Sequence, residues 1–175
     1  MIHFNKFIFV IALLFFSLNG YNAISQEKPI DELGFELMEK EKLGDLKLSM
    51  PLNRVIKLLG EPEEKTEPKL WGADGMYHQD YNYKSKGIYL DIIMEEKESE
   101  KKVNMIHITQ PCKYKTKKGI GIGSAYDEVD FTYEEYIDDT SSSAEQIVAG
   151  TIYGGIIFTF EDMKVISIFI GAAAD

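Results

Sequence analysis

The sequence predicts an α+β protein made of two tandem units, each a helix followed by an antiparallel meander. The units form one or two sheets with the helices packed on one face. Three observations carry this expectation. Matched blocks recur in the same order in both halves of the chain. Each half opens on a short apolar run leading into a segment bounded by helix-start and helix-stop residues. Each half then continues in segments of apolar–polar alternation separated by turn residues.

The chain opens on Lys6 and an apolar run, residues 7–18, broken only by Ser17. A membrane-spanning helix needs roughly 20 such residues. This run suits the apolar region of a secretory signal peptide instead, and Ala23-Ile24-Ser25 before Gln26 reads as its cleavage site. An uncleaved anchor is the competing reading. Residues 1–25 are thus expected to be removed, placing the protein in the periplasm or outside the cell, with no membrane span after cleavage. Residues 26–45 form a lead-in in which Ile30, Leu33, Leu37 and Met38 could line one helical stripe over 31–42.

The first unit is residues 46–112. A short strand, 46–48, runs into a helix with Ser49 as cap and Pro51 in the first turn. Leu52, Val55, Ile56 and Leu59 make its apolar stripe, and Gly60 and Pro62 stop it. A strand with Tyr77, Gln79, Tyr81 and Tyr83 on one face comes next. After a turn at 84–87 comes a second strand with Ile88, Leu90 and Ile92 inward. The charged loop 95–102 leads to a third strand, 103–109. Residues 113–118 link the units. The second unit, 119–175, repeats the order. Residues 120–129 match 46–55, and a strand over 120–122 precedes a helix with Ser124-x-x-Asp127 as capping box. Strands are expected near 146–153, 156–160 and 165–170, with Gly154-Gly155 as a two-residue hairpin turn.

Leu48-Ser49-Met50-Pro51-Leu52 with Val55, Leu59, Gly60 and Pro62 carries a resemblance, together with Ile122-Gly123-Ser124-Ala125-Tyr126 and Val129. The pattern resembles the tandem-repeat β-lactamase-inhibitor proteins and the small outer-membrane assembly lipoproteins of the SmpA/OmlA type. That resemblance implies an exported protein-binding module without catalysis. The chain departs from both groups. The lipoproteins begin their mature chain with a modified Cys, which is absent after residue 25. The inhibitor repeats are commonly disulfide-stapled, and a chain whose one cysteine is Cys112 has no second thiol to pair with.

Charge narrows the partner. The full chain has 19 basic and 29 acidic side chains, and loss of Lys6 with the signal leaves 18 basic, a net −11. That balance opposes nucleic acid and anionic membrane surfaces and suits a partner with a basic patch. Cys112 reads as an inert strand-end residue, with a mixed disulfide or reactive thiol as the sharper alternative. His107 reads as a packing or surface position matching Phe169. Gly119-x-Gly121-x-Gly123 lacks the order and the lysine of a phosphate loop and reads as a tight turn. The acidic residues between Asp127 and Asp139 read as a solvated helix face.

The remaining concentration of chemistry lies in 71–91. Trp71, Asp74, Tyr77, His78, Tyr81, Tyr83 and Tyr89 are the candidate partner-binding residues, since Trp and Tyr supply much of the energy at interfaces. Ordinary sheet packing is the alternative for the tyrosines. His78 reads either as an exposed imidazole in a turn or as a group paired with Asp74 or Asp80. No zinc spacing, nucleophile signature or cofactor motif is present, so the expectation is no catalytic residue, no metal and no cofactor. The function expected is a non-catalytic protein-binding module: an inhibitor, an immunity protein or an accessory of envelope assembly. The alternatives are a small-molecule or cell-wall ligand binder using Trp71 and its tyrosines, and an enzyme using His78.

Overall fold

The computed structural model describes residues 28–97 and 99–173. The expected signal peptide and its cleavage site lie outside the described residues. Among the described residues there are three α-helices: α1, Ile30–Lys40; α2, Leu52–Leu59; and α3, Tyr126–Tyr133. Eight strands of the described residues form one antiparallel sheet. They are β1, Glu64–Lys65; β2, Lys69–Leu70; β3, Tyr77–Tyr83; β4, Ile88–Met94; β5, Lys102–Thr109; β6, Gln146–Thr151; β7, Gly154–Glu161; and β8, Lys164–Gly171. The order across the sheet is β1-β3-β4-β5-β8-β7-β6, with the short β2 also pairing β3.

Alternation along each strand separates two faces. Tyr81, Tyr83, Leu90, Ile92, Ile106, Ile108, Ile156, Phe158, Ile168 and Ile170 point into the core, where Leu37, Val55, Leu59, Val129 and Tyr133 of the helices meet them. The opposite face carries His78, Asp80, Tyr89, Asp91, Met105, His107 and Phe169. β5 and β8 pair at the middle, with His107 directly opposite Phe169. The third strand of one meander therefore hydrogen-bonds the third strand of the other.

The expected α+β arrangement of two tandem helix-plus-meander units, with helices packed on one face, is corrected by this architecture. The protein is mostly β: one eight-stranded sheet with three short helices. α2 and α3 have eight residues each, about two turns, so each offers little area to a sheet. The short strands expected at 46–48 and 120–122 do not form; isolated bridges such as Leu43–Leu46 and Lys115–Gly121 stand near them. The helix laid most closely on strands is α1, which belongs to neither expected unit.

The hairpin turn at Gly154-Gly155 and the helix caps are also corrected. The hairpin between β6 and β7 turns at Ile152 and Tyr153, and Gly154 and Gly155 are the first residues of β7. Their smallness serves close packing: a Cβ on Gly154 would stand 2.8 Å from the Phe35 ring of α1, one on Gly155 would stand 2.4 Å from the Ala149 carbonyl oxygen, and one on Gly34 of α1 would stand 2.3 Å from the Gly154 carbonyl oxygen. The expected caps are replaced as well. Pro51 and Ala125 occupy the cap positions of α2 and α3, and neither helix has a side-chain cap. Gly60 does end α2, at φ +83°, a conformation that favours glycine. Among the described residues no helix is long and apolar enough to cross a membrane.

Candidate functional site

The site is built on β3, β4 and a bulge in β5. The β3–β4 pairing places Asp80 opposite Asp91 and His78 opposite Ile93, so His78, Asp80 and Asp91 share the face away from the core. Between Asp91 and Ile92 the β4–β5 register shifts, because Asn104 is an extra residue on β5. Such bulges re-aim side chains. Here the Asn104 amide Nδ2 donates to Asp91 Oδ2 at 2.8 Å.

His78 is the centre of the cluster and is buried, which corrects the reading of it as an exposed imidazole. Its Nδ1 lies 2.8 Å from Asp91 Oδ2 and its Nε2 lies 2.9 Å from Asp74 Oδ2. Carboxylate oxygens only accept. An imidazolium donates to both, whereas a neutral ring donates to one. Asp80, the other sequence candidate for His78, is engaged elsewhere: its Oδ1 accepts the Tyr89 hydroxyl at 2.6 Å. Asp91 Oδ1 is buried without a hydrogen-bond partner among the described residues.

The loop between β2 and β3 closes over the imidazole. Trp71 N–H donates to the Met76 carbonyl at 2.9 Å, and Gly75 N–H donates to the Trp71 carbonyl at 3.1 Å. Asp74 Oδ1 accepts Met76 N–H at 2.9 Å while its other oxygen faces His78. The Met76 amide first, and His78 after it, hold the Asp74 carboxyl below the usual range. The indole of Trp71 then stacks on the His78 ring, with centroids 3.9 Å apart and planes 10° from parallel. Trp71 remains 40 % exposed and its neighbour Leu70 54 % exposed. An aromatic surface is thus held in place from beneath by a buried ring that two carboxylates grip.

The seven candidates divide. Trp71, Asp74 and His78 form this cluster, and Tyr89 joins the same face through Asp80. Tyr77 is half-buried, with the Lys97 ammonium 5.8 Å above its ring. Tyr81 and Tyr83 point into the core on the other face. The Tyr83 hydroxyl donates to the Gly60 carbonyl at 3.2 Å, and burial pushes its pKa up to about 12. These two tyrosines cannot reach a partner that touches Trp71. Sequence reasoning reads Asp91 only as an acidic neighbour of the aromatic residues, without pairing it to His78, and misses Asn104. Asp91 was open to discovery, because a hairpin turning at 84–87 puts residue 91 opposite residue 80 and diagonal to residue 78. Asn104 enters only through the bulge.

The other residues of chemical interest lie apart. His107 is half-buried and burial lowers its pKa; its ring sits 6.4 Å from that of Phe169. Cys112 is buried and burial raises its thiol pKa, against the reactive reading. Among the described residues no group of three or more His, Cys, Asp or Glu side chains is placed to hold a metal ion. Comparison with family models, with characterised proteins and with solved structures finds no match to this chain.

Proposed function

We propose that this chain is an exported protein-binding module without catalysis, and that the Trp71 loop is its contact element. The observation that carries this reading is the half-exposed indole stacked on buried His78. A large aromatic surface fixed before contact loses little freedom on binding, which is how Trp anchors contribute to interfaces. Leu70 extends the apolar patch, and the partly exposed Asp74 carboxylate beside it suits a basic side chain opposite. Both nitrogens of His78 face carboxylates, so neither is presented to a substrate; this supports the non-catalytic reading over the enzyme alternative.

The reading covers an inhibitor, an immunity protein or an envelope accessory, as the resemblance to β-lactamase-inhibitor and SmpA/OmlA-type proteins implies. Its test is capture from envelope extracts on the immobilised protein and on Trp71→Ala. A specific protein retained by the first, lost by the second and eluted by added salt is the expected result. Retention of nothing specific, or equal retention by both, overturns it.

A further inference from the structure

A hollow of about 380 Å³ lies between α1 and the segment that runs from the inter-unit link to the short 3-10 turn Glu134–Tyr136. Leu33 and Leu37 of α1 and Tyr136 give it apolar walls, and Lys40, Lys117 and Lys118 line it beside Glu36 and Glu41. In a chain with 29 acidic and 19 basic side chains, such a concentration of lysine at one apolar hollow is out of keeping with the surface as a whole. We propose that this hollow binds a small amphiphilic anion: an apolar chain ending in a carboxylate.

The hollow is held open by a buried carboxylate that is itself fully used. Glu41 is 4 % exposed. Its Oε1 accepts the backbone N–H groups of Lys42 and Lys117, and its Oε2 accepts the Tyr133 hydroxyl at 3.0 Å. These bonds tie residue 117 to the end of α1 across 76 positions of sequence. They also engage both Glu41 oxygens with donors from the protein. Glu36, the other acid at the hollow, is paired with Lys28 and Lys40. Lys118 is positioned above Tyr136 and Tyr133, 4.7 and 5.3 Å from their ring centroids, and donates to the Thr132 carbonyl at 3.2 Å; Glu135 stands 3.9 Å away. Lys117 has an exposed side chain and no ion pair among the described residues. It is the group placed to meet a carboxylate while the chain of the ligand lies against Leu33, Leu37 and Tyr136. The volume falls within the about 300–1,000 Å³ usual for small-molecule sites, and apolar walls with a few convergent charges are their usual make-up.

The test is titration of the exported protein with decanoate below its micelle concentration, followed by amide NMR shifts and calorimetry. Decanol and decyltrimethylammonium are titrated in parallel. The expected result is saturable one-to-one binding of decanoate, with shifts confined to residues 33–41 and 117–136. Decanol binds at least tenfold more weakly, the cationic amphiphile weaker still, and Lys117→Glu lowers decanoate affinity at least tenfold. If Lys117→Glu fails to fold, the salt dependence of binding to the unaltered protein decides instead: a carboxylate–ammonium contact weakens with added sodium chloride and a purely apolar one does not. No saturation at millimolar decanoate, equal binding of decanol, or shifts outside these segments overturns the proposal. So does saturation by a leucine-rich peptide with a free C-terminus where decanoate fails, since that assigns the hollow to a chain end. The Trp71 loop takes no part in this binding, so neither reading fails with the other.

Discussion

Two residues are held in conformations or surroundings that a change of side chain would expose at once. Met163 sits at φ +58° in the two-residue turn between β7 and β8, where Asp162 also has positive φ. A side chain at such an angle carries about 1–2 kcal/mol of strain. The Met163 carbonyl accepts the Tyr126 N–H at 3.0 Å, so the turn also holds the start of α3, and glycine keeps that bond. Met163→Gly is therefore expected to stabilise the protein by about 0.5–1 kcal/mol, read as a higher urea midpoint with unchanged slope. His78 is the opposite case. Its removal leaves the buried Asp91 carboxylate with Asn104 alone, and loss of one partner of a buried pair costs about 3 kcal/mol. Asp74→Asn removes a partly exposed partner and is expected to cost under about 1 kcal/mol. Both changes loosen the support beneath the indole, the first by deleting its stacking partner and the second by releasing one grip on that ring. Trp71 is the one tryptophan of the chain, so its emission reports the loop directly. Emission that stays as in the unaltered protein after His78→Ala would show that the ring does not position the indole.

At the scale of elements, legibility depends on how much a sequence encodes locally. Most of the six longer strands were readable because alternation survives where one face meets the core, as with Ile88, Leu90 and Ile92; β6, buried from Ile147 to Thr151, carries no such alternation. Their pairing across β5 and β8, which makes one sheet of two meanders, depends on residues about 60 positions apart and has no local signature. The Gly154-Gly155 pair shows how a correct local rule gives a wrong turn. Glycine serves both tight turns and close backbone approach, and only the packed α1 reveals which applies. In the same way, His78 and Asp74 were legible at four residues' spacing, while Asp91 needed the hairpin register and Asn104 needed the bulge. The close approach of α1 yields a prediction of its own. A methyl group on Gly34 meets the Gly154 and Gly150 backbone, which cannot move aside as the end of a flexible side chain can. Gly34→Ala should lift α1 from β6 and β7 and cost about 1–3 kcal/mol despite the higher helix propensity of alanine. The same substitution at Gly72, where nothing stands near a new Cβ, should leave the midpoint within about 0.5 kcal/mol.

For the whole molecule, the buried titratable groups set a window of pH over which the sheet is most stable. His107 titrates lower in the folded chain than in the unfolded one, because burial disfavours its charged form. Between the two values the unfolded state holds more protons, so stability falls as pH drops below about 6.5, the ordinary histidine value. Asp74, held below the carboxylate range by the Met76 amide and by His78, acts in the same direction further down: its contribution is present above about pH 3.9 and is lost as pH falls through its folded value. At the alkaline end the sign reverses. Tyr83, pushed up to about 12 by burial, and Tyr133, raised mainly by burial, stay protonated in the folded state after the unfolded tyrosines have ionised. The unfolded state then holds fewer protons, and stability falls as pH rises through about 10. Urea midpoints should therefore form a plateau from about pH 7 to pH 9 with losses on both sides. His107→Gln, at the junction of β5 with β8, should flatten the shoulder that begins below about pH 6.5 and leave the alkaline limb unchanged. A shoulder that keeps its slope in that variant would place the acid sensitivity in the other buried groups, because His107 is the half-buried imidazole at the seam joining the two meanders. With one cysteine and so no internal disulfide, the chain resists acid through its packing. The acid edge of the plateau reports His107 at the seam, and the alkaline edge reports the core tyrosines Tyr83 and Tyr133.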